Sequence, residues 1–162
     1  MAPGISVRVP RSDNRLDQAI ALAERNHRTL AVMFLDFDQF KRINDEHGHA
    51  AGDFLLKEVV SRLLQQARDD DTVCRNGGDE FLYLLVNPQG RENVARIASK
   101  ILSNIACPML RNGVDLIVGV SIGIALFPES AATGVELITH ADAAMYSAKR
   151  KEIGYALWDP LS

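Results

Sequence analysis

The sequence has only two cysteines, Cys74 and Cys107, and they stand at neither metal-ligand nor redox spacing. That excludes a cysteine metal centre or a redox pair, and the apolar neighbours of Cys74 predict a buried thiol suited to a reducing cytoplasm. No stretch reaches the roughly eighteen apolar residues of a membrane span, and the N-terminus has no apolar signal-peptide core. A soluble chain without membrane contact is therefore expected. A long basic run is also missing: 18 basic side chains face 21 acidic ones for a net charge of -3. This leaves no electrostatic footprint for duplex nucleic acid, while a small anionic ligand can still find a locally positive site. Low-complexity tracts and internal repeats are absent as well.

What is present is an ordinary core. At 162 residues and 47% hydrophobic content, the chain is expected to form one domain over residues 1–162, with 1–11 the end of a linker or an expression remnant. Ser12 or Asp13 can cap a helix running to Arg25, and a strand follows to Asp36. A short helix over 39–46, Gly48 as its C-cap and a longer helix over 50–67 come next. Strand-like flanks at 71–75 and 81–86 enclose a turn, and a helix over 91–105 leads to a turn at Asn112-Gly113. A strand over 114–127, a helix over 135–151 and an edge strand over 155–158 complete the order, with Met145 and Tyr146 read as core. This alternation argues for an α/β (α+β) layer around a mixed sheet.

Chemistry concentrates in two acidic places. Arg75-Asn76-Gly77-Gly78-Asp79-Glu80-Phe81 sets two glycines where a tight turn needs positive φ, then two carboxylates, then an apolar strand. Asp36-Phe37-Asp38 closes a strand in which Leu30, Val32, Phe34 and Asp36 share one face. If the two strands pair, Asp36, Asp79 and Glu80 converge into an oxygen-rich site of the kind Mg²⁺ or Mn²⁺ prefers.

At these residues the sequence resembles the GGDEF family of diguanylate cyclases. The resemblance extends through residues 35–53, through Ser121-Ile122-Gly123-Ile124-Ala125, and through the block from Ala141-Asp142 to Ala148-Lys149. It implies a fold like the palm of nucleotide polymerases and class III nucleotide cyclases, with a central sheet wrapped by helices. It implies condensation of two GTP to cyclic di-GMP and two pyrophosphates in an antiparallel homodimer, within a larger cytoplasmic signalling protein carrying sensor or EAL domains. The metal ligands would be Asp36, Asp79, Glu80 and the carbonyl of Phe37, holding two ions per site. Asp79 and Glu80 would be catalytic, with Asp79 either assisting deprotonation of the attacking hydroxyl or serving only as a ligand. Substrate would be bound by Gln39, Phe40, Lys41, Asn44, Asp53, Gly78 and Lys149, with Asn44 and Asp53 reading guanine. Arg68 and Asp71 match an RxxD inhibitory site for cyclic di-GMP, with Lys100 nearby.

Three departures are expected to matter. The family's N-terminal turn is degenerate at residues 9–15, Ile153 stands where an arginine usually reaches the phosphates, and Asn76 replaces an aromatic or aliphatic residue, a change expected to alter hairpin packing without touching the metal ligands. They leave room for a GTP-binding regulatory domain of a GGDEF–EAL phosphodiesterase, or for a cyclic di-GMP receptor acting through Arg68 and Asp71.

Overall fold

The computed structural model describes residues 5–6 and 12–161, with side chains from Leu16 onward. The expected Ser12 or Asp13 cap lies outside the described side chains, and most of the expected linker lies outside the described residues. The sheet has six strands in the order β1-β3-β4-β2-β7-β8. These are β1 (Ile5–Ser6), β2 (Leu30–Asp38), β3 (Thr72–Gly77), β4 (Glu80–Val86), β7 (Gly119–Phe127) and β8 (Tyr155–Leu157). β5 (Met109–Arg111) and β6 (Val114–Leu116) form a separate hairpin. β2 pairs antiparallel with both β4 and β7, while the outer pairs β1–β3 and β7–β8 are parallel.

The apolar run of β2 is nearly continuous because both faces are covered. Ala31, Met33, Leu35 and Phe37 join a core with α2 (Phe40–His47), α3 (His49–Gln66) and α4 (Arg91–Ala106). Leu30, Val32 and Phe34 point the other way, into a second core with α1 (Ser12–Arg25) and α5 (Gly134–Lys151). A mixed sheet between two helical layers follows directly from that alternation. No helix among the described residues is long and apolar enough to cross a membrane.

Three expectations are corrected. The strand expected over 114–127 is broken, because Asn112 and Gly113 at positive φ fold β6 back onto β5, and exposed Ile117 and buried Val118 then lead the chain into the sheet. The short helix starts at Phe40, since Gln39 adopts the left-handed conformation at φ 61°. Met145 is core as expected, but Tyr146 is 64% exposed, pointing away from the sheet.

Candidate functional site

The pleat decides which side chains meet. In β4, Leu82 joins the α1–α5 core and Leu84 and Val86 pack against it, so Glu80 points to that face; in β7, Ala125 and Phe127 place Ser121 there too. Asp36 is the direct cross-strand partner of Glu80 on one side and of Ser121 on the other. Asp38 is two residues further along the same face, and both its carboxylate oxygens lie within reach of the Ser121 hydroxyl, the nearer at 3.2 Å.

α5 closes this face. It lies so near β7 that a Cβ on Gly123 would fall 1.9 Å from the Ala141 carbonyl oxygen and 2.1 Å from the Met145 nitrogen. Its C-terminal end delivers Lys149, whose Nζ donates to Asp36 Oδ2 at 3.0 Å and stands 3.9 Å from Asp38 Oδ1.

The acidic hairpin is fastened from both sides. The Arg75 guanidinium donates twice to the Gly78 carbonyl, at 3.0 and 2.7 Å, across the Gly77-Gly78 turn. The Phe37 amide donates to the Asp79 carbonyl at 3.2 Å, and the Phe37 and Phe81 rings meet edge to face. Asn76, expected to affect hairpin packing alone, reaches an expected metal ligand: its side-chain amide donates to Glu80 Oε2 at 3.4 Å. A register shift between Arg75 and Gly77 brings it there.

These carboxyl groups disturb one another. Burial, then the Asp36 charge, pushes the Asp79 carboxyl above its ordinary value. Burial also raises Glu80, with Asn76 opposing and Asp36, Asp142 and Asp79 adding to the rise. Asp142 on α5 is raised by burial and by Asp36. Lys149 is raised chiefly by its hydrogen bond to Asp36, which keeps it charged.

An all-oxygen donor set under mutual repulsion fits a hard divalent cation. Nonetheless, the expected convergence is only partial. Asp36 and Glu80 stand side by side, but among the described residues no three acidic, histidine or cysteine side chains stand close enough to hold one ion. Lys149 supplies positive charge there instead.

The expected guanine readers lie on the neighbouring helices. Asn44 on α2 is half-buried over α3 at Gly52, where a Cβ would fall 1.8 Å from Asn44 Oδ1. Asp53 is exposed, as are Lys41, His47 and His49. Gln39 is exposed and Phe40 half-buried at the start of α2, whose first amides are open to a ligand. Gly78, at φ 26°, has open space where a side chain would sit.

The RxxD pair is built differently from its two members. Asp71 is buried, and its oxygens accept from the Arg68 and Val86 amides at 3.0 and 3.2 Å, tying the α3–β3 turn to β4. Arg68 is exposed and donates to the Val86 carbonyl at 2.6 Å. Beside them lies a hollow of about 260 Å³ lined by Gln66, Tyr83, Arg96 and Lys100 among others. Ile153 is 55% exposed beyond the end of α5.

Sequence reasoning gave no individual role to Asp38, Gly52 or Asp142, and gave Asn76 only an effect on hairpin packing. For Asp142 a signal existed: it precedes Lys149 by two helical turns and so shares its side of α5.

The likeness to known proteins extends over most of the chain. Residues 11–154 match the family described as diguanylate cyclase, GGDEF domain. The bifunctional diguanylate cyclase/cyclic di-GMP phosphodiesterase MucR of Pseudomonas aeruginosa is 44% identical over 137 residues, 85% of this chain and 20% of MucR. Diguanylate cyclase TpbB of the same species is 43% identical over 143 residues, 88% of this chain and 33% of TpbB. The chain thus spans a third or less of the length of these relatives. The crystal structure of the GGDEF domain of YfiN (TpbB) from P. aeruginosa superposes with a TM-score of 0.86 at 42% identity, covering 91% of this chain and 92% of that one. Strand order, acidic hairpin and these likenesses agree, and the chain belongs to the GGDEF family of diguanylate cyclase domains.

Proposed function

We propose that this domain condenses two GTP into cyclic di-GMP and two pyrophosphates as an antiparallel homodimer. One observation carries the reading: Asp36 and Glu80 are cross-strand partners on the face that α5 closes, with Asp79 beside them at the hairpin tip. Asp36, Asp79, Glu80 and the Phe37 carbonyl would hold two Mg²⁺ or Mn²⁺ ions, which when bound offset triphosphate charge and acidify the attacking 3′-hydroxyl.

The chain's own residues do the rest. Asp79, with its proton affinity raised by burial and Asp36, accepts the hydroxyl proton or acts purely as a ligand. Each 3′-oxygen forms a bond to the partner nucleotide's α-phosphorus as the bond to the β-phosphate breaks and pyrophosphate leaves. Amides near Gln39 and Phe40, with Lys41 and Lys149, bind phosphate oxygens, and side-chain-free Gly78 leaves the nucleotide room. Asn44 and Asp53 read the guanine edge. Because adenine would leave Asp53 facing an acceptor, GTP is preferred over ATP. Product returns to the hollow beside Arg68, where the guanidinium stacks on guanine and donates to its acceptor edge. Asp71, already bonded to two amides, holds the turn that presents Arg68. A GTP substrate places the domain in the cytoplasm, and sensor or EAL domains would accompany it in the whole protein.

The test is chromatographic detection of cyclic di-GMP from GTP and Mg²⁺, with bound product removed beforehand and Glu80→Ala as control. Product from the parent alone, rising faster than linearly with protein concentration, is expected. A second reading, a GTP-binding regulatory domain attached to an EAL phosphodiesterase, is favoured by exposed Ile153 at the arginine position. GTP binding and dimerisation without product would establish it, and product binding without GTP binding would indicate a receptor.

A further inference from the structure

Lys149 stands where a divalent ion would be expected. Its ammonium is 3.0 Å from Asp36 Oδ2 and 3.9 Å from Asp38 Oδ1, and the Asp36 side chain is only 15% exposed. The ammonium thus covers one Asp36 oxygen and repels a second cation from the carboxylate while it stays. The helix that carries Lys149 cannot retreat, since Gly123 lets it rest directly on β7 and Ala141, Met145 and Ala148 are buried beneath it. The ammonium can, because the lysine stem is flexible and 43% exposed.

A bare divalent ion brings no acceptor for a displaced ammonium and leaves two like charges a few ångströms apart. A metal–triphosphate complex brings both the dication and the phosphate oxygens that can receive the ammonium.

We propose that Lys149 is the resident counter-ion of the nucleotide-free site, held on Asp36 until metal and triphosphate arrive together and then transferred to the phosphate. The inference rests on the reading of Asp36 as a metal ligand. It makes free Mg²⁺ or Mn²⁺ a poor ligand for the empty domain and couples metal entry to nucleotide entry. Lys149 is then a positioning residue for the metal in addition to a phosphate ligand.

The test is Mn²⁺ binding followed by electron paramagnetic resonance of the free ion, with and without a non-hydrolysable GTP analogue. Without nucleotide, Lys149→Met and Lys149→Gln should bind Mn²⁺ about tenfold more tightly, a conservative fraction of the repulsion between such close charges. Lys149→Arg should keep the parent's affinity. With the analogue the order should reverse, the uncharged variants binding the metal–nucleotide complex more weakly than the parent. Lysine acting only on phosphate would leave nucleotide-free Mn²⁺ affinity unchanged, and that result, with binding still lost in Asp36→Asn, overturns the counter-ion role alone. Mn²⁺ binding indifferent to Asp36→Asn overturns the metal site together with the inference. Thermal melting of each variant confirms that a folded domain is being compared.

Discussion

Asn76 is the residue whose individuality counts most. Its amide donates to Glu80 Oε2, and this bond opposes the upward push of burial on the Glu80 carboxyl. Replacing it by leucine, nearer the family's usual residue, should raise the Glu80 carboxyl further. The acid limb of the pH–activity profile should then move to higher pH, so that turnover on that limb falls ~2- to 5-fold, the worth of one hydrogen bond. An unmoved limb would remove Asn76 from the site. The cross-strand meeting of Asp36 and Glu80 was legible because adjacent carboxylates beside glycines and at a strand exit are conspicuous in a linear sequence. Asn76 was not, because its contact depends on a bulge that no local spacing announces. Gly52 was hidden differently: its role is the empty space that Asn44 fills, and an absent side chain leaves no pattern.

Among the elements, α5 is the one that completes the site. Its seat on β7 depends on Gly123, so Gly123→Ala must lift the helix against backbone atoms rather than a yielding side chain. The expected cost is about 1–3 kcal/mol by urea unfolding, the usual range for overpacking. Lys149 should also lose its reach to Asp36, so nucleotide affinity should fall even where the protein remains folded. An alanine variant with parental stability and affinity would show that the seat does not set the reach. Helices and strands were largely readable, since period two along β2 assigned its two faces correctly and the stripes of α3 and α4 are wide. The 114–127 segment was misread for a physical reason. A largely apolar stretch cannot reveal that its first three residues pair back on β5, itself only three residues long.

At the scale of the whole molecule, the acidic cluster trades stability for function. Asp79, Glu80 and Asp142 all have carboxyls held above their ordinary values, so the folded domain retains protons that the unfolded chain has released. Their favourable contribution is complete below the ordinary carboxylate range and is lost as pH rises through the raised values. In metal-free buffer, Asp79→Asn should therefore melt close to the parent at low pH and increasingly above it as pH approaches neutrality. Added Mg²⁺ should narrow that gap by stabilising the parent. A gap that stays constant with pH would mean that Asp79 bears no such burden.

Lys149 and Asp36, joined at 3.0 Å, are 113 residues apart in the chain. Synthesis runs from the N-terminus, and β2 must wait first for β4 and then for β7 before α5 can be laid across them. A nascent chain on the ribosome thus carries every acidic residue of the hairpin and of β2 long before it owns the lysine that answers them. The two meet only once the ribosome has passed α5, so a domain cut short before that helix lacks the cation of its own acidic face.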